Sequence, residues 1–158
     1  MDPVRDPDAE ARAQARDLID SATFAALAAT RPEGGPTVSR IALTTDDTGA
    51  PLSLISTLSA HTQALKADPH CALLIGEPLD RGDPLTHPRL TLHCAAALIP
   101  RDAPEHAALR ARYLATRPKA KLYIDFADFR FVNFAVKDGF LNGGFGKAFR
   151  ITPADLTP

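Results

Sequence analysis

The chain has 158 residues, of which 45% are hydrophobic and 23% charged, a balance typical of a globular protein that buries its own core. Its formal net charge of −1 gives no general attraction to nucleic acid or to an anionic membrane, so a bound anion would need a local site. No run approaches the roughly 20 apolar residues of a membrane span. The acidic first residues lack a hydrophobic signal core, which predicts a cytoplasmic protein.

The first third of the chain predicts one amphipathic helix and an antiparallel meander. Asp8 occupies the capping position of a helix predicted over residues 8–22. One face of this helix is apolar, at Ala11, Ala15, Leu18 and Ile19. Gly and Pro in the segments that follow mark hairpin turns. Between these turns, strands are predicted over residues 24–30, 37–45 and 52–57.

The rest of the chain predicts two more helices and further strands. The spacing of Asp102 and Glu105 is that of a capping box, and it predicts a helix that ends at about Thr116. Asp138–Gly139 predicts a turn after the last long strand. The other predicted elements are a short helix over 61–67, strands over 70–76, 89–100, 129–137 and 140–142, and a polar loop over 77–88.

These short strands in hairpin order, about six of them, favour a mainly β fold, a six-stranded antiparallel barrel with peripheral helices, in one domain over residues 1–158. Both faces of the segment 129–136 are apolar, although a barrel strand needs only one apolar face. The second face must therefore be covered by another element. Two covers are open at this point: the helix over residues 103–116, or a second copy of the chain.

The reactive residue types indicate no metal or redox centre. Cys71 and Cys94 lie in apolar runs and no CxxC occurs, which predicts two buried free thiols. No two of the five histidines share a metal-like spacing, so no metal ligand is predicted. Asp125 and Asp128 are interpreted as solvated acids at a helix-to-strand corner rather than as a catalytic pair. No catalytic residue is assigned.

A candidate anion site lies where a predicted strand ends and the short helix begins, at residues 56–66. The first N–H groups of a helix have no partner within it, and the helix dipole favours a negative charge there. Ser59 adds a hydroxyl, Lys66 lies one turn further on, and Arg40 on a neighbouring strand can make a bidentate contact. In the alternative interpretation, Ser59 simply caps the helix and Arg40 is a solvated strand residue.

Several short motifs, in consistent order along the chain, resemble one known family. The segments 40–43, 47–49, 57–62 and 68–74 look like the FMN-binding core of the pyridoxamine 5′-phosphate oxidase-like split β-barrels. Later segments resemble the HugZ-like subgroup of haem-utilisation proteins, at residues 82–85, 87–92, 125–129 and 141–146. The resemblance covers residues 9–151, nearly the whole chain.

The resemblance implies a homodimer with two FMN sites at the subunit interface. It also implies a flavin-dependent oxidoreductase that acts on a small molecule, with FMN supplying the redox chemistry. Arg40, Ser59, His61 and Thr62 match phosphate-binding positions of the family. With their neighbours, the candidate cofactor-binding residues are Ser39, Arg40, Ile41, Thr57, Leu58, Ser59, His61, Thr62 and Lys66.

Departures from the family pattern argue against pyridoxamine-phosphate oxidation itself. That oxidase surrounds the FMN phosphate with several cations, whereas the matching segment here reads Ala60-His61-Thr62, which predicts weaker FMN binding. The chain has no Trp and does not show the oxidase's C-terminal substrate motif. The alternatives are a haem-binding protein or a non-catalytic flavin-binding module. Since no histidine follows His106, we expect no axial haem ligand from the C-terminal segment.

Overall fold

A computed structural model describes residues 3–158, which form a nine-stranded, almost entirely antiparallel sheet with three α-helices at its periphery. The helices are α1 (Ala9–Ser21), α2 (Ala60–Ala67) and α3 (His106–Thr116). The strands are β1 (Val4–Arg5), β2 (Phe24–Thr30), β3 (Pro36–Ala42), β4 (Thr44–Thr45), β5 (Pro51–Ser56), β6 (His70–Ile75), β7 (Arg89–Ile99), β8 (Phe129–Asn142) and β9 (Ala148–Ile151).

The sheet is an incompletely closed barrel. Its strands run in the order β1-β9-β8-β7-β6-β2-β3, and β5 joins by pairing with β8 and with the short β4. β3 lies close to β5, and the Ser53 hydroxyl of β5 donates to the Ala42 carbonyl oxygen, but the backbone ladder of β3 pairs it with β2 alone among the described strands, so the barrel is split there. The mainly β split barrel with peripheral helices is therefore confirmed. The strand predicted over 37–45 is divided into β3 and β4, those predicted over 129–137 and 140–142 are one strand, β8, and the others are β2, β5, β6 and β7. Two short strands, β1 and β9, are added at the margins.

The main core fills the barrel interior. Alternate residues of the central strands point inward, and Leu27, Leu73 and Leu92 are each at most 1% exposed. Helix α1 closes the barrel on one side through Ala11, Ala15 and Ile19, which are buried as predicted, while Leu18 is partly buried against the core. The predicted cap of this helix is also confirmed, because the side chain of Asp8 accepts a hydrogen bond from the Ala11 N–H at 2.8 Å.

Helix α3 covers the second apolar face of β8 at Phe131, while Ala135 on the same face is exposed. Phe131 is fully buried in a separate cluster with Tyr113 of α3, their ring centroids 5.7 Å apart. Val132 and Phe134 point to the barrel interior. Helix α3, one of the two alternatives predicted to cover this face, therefore buries Phe131 without a second copy of the chain. A Phe→Ala truncation in such a core costs about 3–5 kcal/mol.

Two local predictions are wrong. Asp138–Gly139 is not a turn, because β8 continues to Asn142 with a register shift opposite His93–Cys94. Gly139 serves close packing instead, since a Cβ there would lie 2.8 Å from the Thr91 carbonyl oxygen. The capping box at Asp102 is also absent: α3 begins at His106, and its N-cap, Glu105, makes no side-chain capping bond.

The two cysteines face each other across β6 and β7 as free thiols. Cys94 is buried as predicted, whereas Cys71 is only partly buried. Burial raises the pKa of the Cys71 thiol to about 11 and that of Cys94 to about 12. Both side chains are therefore neutral near pH 7 and poor nucleophiles.

Candidate functional site

The turn between β5 and α2 leaves polar groups open. Ser59 is the N-cap of α2, yet its hydroxyl makes no capping hydrogen bond. Its carbonyl oxygen accepts from the N–H groups of Thr62 and Gln63 at 3.1 and 3.2 Å. The N–H groups of Ala60 and His61 have no hydrogen-bond partner within residues 3–158. The turn therefore presents a free hydroxyl and two free N–H groups at a helix N-terminus, the donor set that binds an anion.

A network anchored on Asp128 holds this turn in place. The Ser56 hydroxyl donates to a carboxylate oxygen of Asp128 at 2.5 Å and accepts from the Leu58 N–H at 3.1 Å. The Thr57 N–H donates to the Asp128 carbonyl oxygen at 2.7 Å. The Thr62 hydroxyl donates to the Ser56 carbonyl oxygen at 2.6 Å. These groups of Thr57, Leu58 and Thr62, all predicted site residues, are engaged in shaping the turn.

Ser56 and Asp128 were not among the predicted site residues. The interpretation of Asp128 as a solvated acid is wrong, because its carboxylate and its carbonyl both bond to the turn. Asp125 has another partner, a bidentate pair with Arg110 at 2.8 and 2.7 Å. No sequence signal links Ser56 to Asp128, since they lie 72 positions apart and meet only through the pairing of β5 with β8.

Strand β3 separates the predicted residues Ser39 and Ile41 from Arg40. Successive side chains of a strand point to opposite faces. Ile41 points into the main core, which also contains Ala64 of α2, and the Ser39 hydroxyl is buried without a hydrogen-bond partner. Arg40 points to the outer face, where its guanidinium lies 5.2 Å from the centre of the Phe24 ring. Arg40 and Ser39 therefore approach a ligand from different sides.

His61 lies in the first turn of α2 and is partly buried. Its Nε2 atom is buried without a partner among the described residues. Desolvation lowers the pKa of this imidazole below its usual value, so the neutral ring dominates near pH 7. Lys66, by contrast, is exposed in the last turn of α2. Six residues of helix place it about 9 Å along the axis from Ala60, away from the open N–H groups.

The residues present fit a ligand that carries an anion. A buried polar atom left unpaired costs about 1–3 kcal/mol, and each such atom in a native structure calls for a missing partner. Two of these atoms, Ser39 Oγ and His61 Nε2, belong to residues predicted as cofactor-binding. The site therefore combines the open donors of the β5–α2 turn with two unpaired buried polar atoms, Ser39 Oγ on β3 and His61 Nε2 on α2.

Other candidate chemistry is limited in the described part of the chain. Residues 3–158 contain no group of three or more His, Cys, Asp or Glu side chains placed to hold a metal ion. Among the helices of that range, none combines the length and apolar character needed to cross a membrane.

The chain is similar to known proteins in sequence and in fold. The sequence model of pyridoxamine 5′-phosphate oxidase matches residues 11–142. The chloroplastic non-canonical heme oxygenase HOZ of Arabidopsis thaliana is 41% identical over 106 residues, which are 66% of this chain and 31% of that protein. The chain thus spans about a third of this curated relative.

Two solved structures share the fold over nearly the whole chain. A heme binding protein from Mycobacterium smegmatis is 31% identical, with a TM-score of 0.82 over 97% of this chain and 61% of that chain. A protein of unknown function from Agrobacterium tumefaciens is 33% identical, also with a TM-score of 0.82, over 100% of this chain and 66% of that chain. With the family match covering most of the barrel, the chain belongs to the pyridoxamine 5′-phosphate oxidase family.

Proposed function

We propose that this protein binds FMN, with the phosphate seated on the β5–α2 turn. The observation that carries the proposal is the uncapped start of α2, where the Ser59 hydroxyl and the N–H groups of Ala60 and His61 are free. A dianionic phosphate can accept all three donors and is favoured by the helix dipole. Arg40 on β3 adds the permanent positive charge.

FMN supplies hydride and electron transfer when it is bound, and the protein then acts as a flavin-dependent oxidoreductase on a small molecule. The chain's own contribution is binding and orientation. Asp128 and Ser56 fix the turn, and Ser39 and His61 offer buried polar atoms to a ligand beside it. The departures noted in the sequence argue against pyridoxamine phosphate as the substrate. A cytoplasmic location stays a prediction.

A second copy of the chain completes the site in this proposal. Two large apolar side chains are exposed in one chain, Leu58 in the turn itself at 82% and Phe126, two positions before the anchor Asp128, at 56%. Exposed apolar groups beside a polar site are typical of an interface. We expect an obligate homodimer that buries at least roughly 2,000 Å². Sedimentation should show a dimer at micromolar concentration, and a monomer would contradict the composite site.

Haem is the second candidate ligand, because two of the relatives described above, at 41% and 31% identity, are named as a heme oxygenase and a heme binding protein. A propionate could use the same donors as a phosphate. Two of the five histidines are already engaged: the ring nitrogens of His87 are bonded to the 77–88 loop, and the His106 ring packs edge-on against Phe131.

The experiment that tests the proposal is a parallel titration of the purified dimer with FMN, riboflavin and haem, followed by absorbance. Flavin bands with FMN preferred over riboflavin support the proposal. A tight complex with a Soret band and no flavin binding would replace FMN by haem. Binding of none of the three would refute a cofactor role for the turn.

A further inference from the structure

Side chains hold the split between β3 and β5, where the two strands lack a backbone ladder. β3 ends at Ala42, and the chain passes through the β3–β4 junction, residues 42–45, into a strand that does pair with β5. The Ser53 hydroxyl of β5 is fully buried and donates to the Ala42 carbonyl oxygen at 2.5 Å. A buried hydroxyl thus takes the place of a ladder hydrogen bond at this end of the split.

Two arginines of helix α3 and its C-cap donate to the same region. Arg117, the C-cap of α3, donates to the Leu43 carbonyl oxygen at 3.0 Å and to the carbonyl oxygen of Thr23, the residue before β2. Arg112 donates from Nε to the Thr45 carbonyl oxygen at 2.7 Å. Each of these bonds has a charged donor, which makes it stronger than a neutral hydrogen bond. Because α3 packs on β5 and β8, the bonds tie that side of the split to the ends of β2 and β3.

The split borders the proposed phosphate site. β3 lies close to β5 and to α2, the two elements on either side of the open turn. Ile41 of β3 is buried in the same core cluster as Ala64 of α2, and Arg40 is the residue before it. Among the described strands, the backbone ladder of β3 leads to β2 alone. The place of Arg40 relative to the turn therefore depends on what holds the β3–β4 junction.

We propose that Arg117 is a positioning residue for the phosphate site. By holding the ends of β2 and β3 to α3, it fixes the distance between Arg40 and the β5–α2 turn. A guanidinium–phosphate hydrogen bond spans about 2.7–2.9 Å, so a small displacement of β3 is enough to break it. Arg117 acts through β3 and not by contact with the ligand, since its own guanidinium is engaged by two carbonyl oxygens. This inference rests on the proposed binding of FMN.

The test is titration of the wild type, Arg117→Gln and Arg117→Lys with FMN and with riboflavin. Arg117→Gln should weaken FMN binding about tenfold and riboflavin binding less than about threefold, because FMN alone carries the phosphate that Arg40 contacts. Arg117→Lys keeps a charged donor and should recover part of the loss. In an Arg40→Ala background, Arg117→Gln should cause no further loss of FMN affinity, since the two residues act through one contact.

Hydrogen exchange of the ligand-free protein gives a second readout, which does not depend on FMN. Arg117→Gln should lower the protection of the amides that pair β2 with β3 at least about tenfold relative to those that pair β6 with β7. The matched control is Arg110→Gln on the same helix, which removes a guanidinium bonded to Asp125 and should change neither readout. Where Arg117→Gln lowers the yield of folded protein, Arg112→Gln should show the same pattern at smaller size.

An unchanged FMN affinity in Arg117→Gln would overturn the positioning role, even if the protection of β3 falls. So would equal losses of affinity for FMN and riboflavin, or full additivity with Arg40→Ala. A wild-type protein that binds FMN no more tightly than riboflavin would instead refute the phosphate site itself, and the role of Arg117 with it.

Discussion

Helices α1 and α2 pack on the same barrel core but begin in opposite ways. The Asp8 carboxylate caps α1 by accepting a hydrogen bond from the Ala11 N–H at 2.8 Å, so a negative charge of the chain itself lies at the start of this helix. Ser59 stands at the corresponding position of α2 and leaves its hydroxyl unused. A free capping hydroxyl forgoes about 1 kcal/mol of stability. Both helices leave their first two N–H groups without a partner among residues 3–158, and they differ in the capping side chain: a bonded carboxylate at α1 and an unused hydroxyl at α2.

The difference is built into the surroundings of α2. The hydroxyls nearest the start of this helix are committed elsewhere, since Ser56 bonds to Asp128 and the Thr62 hydroxyl bonds to the Ser56 carbonyl oxygen. These bonds hold the backbone of the turn in place. The open N–H groups of Ala60 and His61 therefore point in a fixed direction even when no ligand is bound. Preorganised donors of this kind bind an anion without a further ordering cost.

The largest effect is expected from Arg40, which supplies the permanent positive charge in the proposed FMN site. A charge-assisted hydrogen bond is worth about 1.5–3 kcal/mol, so Arg40→Ala should weaken FMN binding roughly 10- to 100-fold. The affinity for riboflavin, which lacks the phosphate, should change little. Fluorescence-quench titration of both flavins measures this, and Arg31→Ala in the β2–β3 turn is the charge-matched control.

Equal losses for FMN and riboflavin would show that Arg40 supports the fold, for example through its contact with the Phe24 ring. An unchanged affinity for both flavins would remove Arg40 from the site.

A smaller effect is expected when the anchor of the turn is weakened. Asp128→Asn replaces the charged acceptor of the Ser56 hydroxyl by a neutral amide, which costs about 1 kcal/mol. FMN affinity should fall about fivefold. Asp125→Asn is the matched control, because it breaks the pair with Arg110 and leaves the turn untouched. If Asp128→Asn and Asp125→Asn weaken FMN binding equally, the segment that holds both aspartates affects FMN through the general stability of the protein rather than through the turn.

The two caps should respond in opposite ways. Asp8→Ala should lower the free energy of unfolding by about 1 kcal/mol and leave FMN affinity unchanged. Ser59→Ala should leave the free energy of unfolding almost unchanged, because the Ser59 hydroxyl makes no capping hydrogen bond. The same change should weaken FMN binding about 2- to 10-fold through the loss of a neutral hydrogen bond. Urea unfolding and flavin titration of both variants measure the contrast. A stability loss in Ser59→Ala equal to that in Asp8→Ala would mean that Ser59 caps α2.

The smallest effect is the pH dependence that arises from His61. Burial lowers the pKa of this imidazole in the folded chain, so the unfolded chain binds more protons in the window just below pH 6.5. Stability should therefore fall as pH drops through that window, and His61→Gln should flatten the curve. A phosphate beside the ring favours its charged form, so lowering the pH from 8 to 6 should favour FMN binding more in the wild type than in His61→Gln, which shares the titration of the phosphate itself. The same pH dependence in both proteins would contradict contact between His61 and the phosphate.

Much of the fold could be predicted from the sequence because the signals are local. The apolar face of α1, the Asp8 cap and the glycine turns each lie within a few residues of what they determine. The errors have the same origin. Asp138–Gly139 has the composition of a turn, but the packing of Thr91 against Gly139 keeps it in β8. Asp102 matches a capping box by spacing alone, and the helix begins four residues later.

The candidate site was only partly predictable, because strand pairing assembles it. The free hydroxyl of Ser59 could be proposed from its place at a helix start. Its support by Asp128 could not, since that contact depends on the register of β5 against β8. Successive side chains of β3 point to opposite faces, so Arg40 and Ser39 lie on different sides of the sheet although they are adjacent in the predicted motif.

The most direct test of the account is the ratio of FMN to riboflavin affinity in the wild-type protein, measured near pH 7 by fluorescence quenching. The two ligands share the ring and the ribityl chain and differ in the phosphate alone. An open helix start that binds this phosphate predicts FMN tighter by at least about tenfold, a difference of about 1.4 kcal/mol. Equal affinities for the two flavins would contradict the central claim, that the uncapped turn at Ser59 is an anion site.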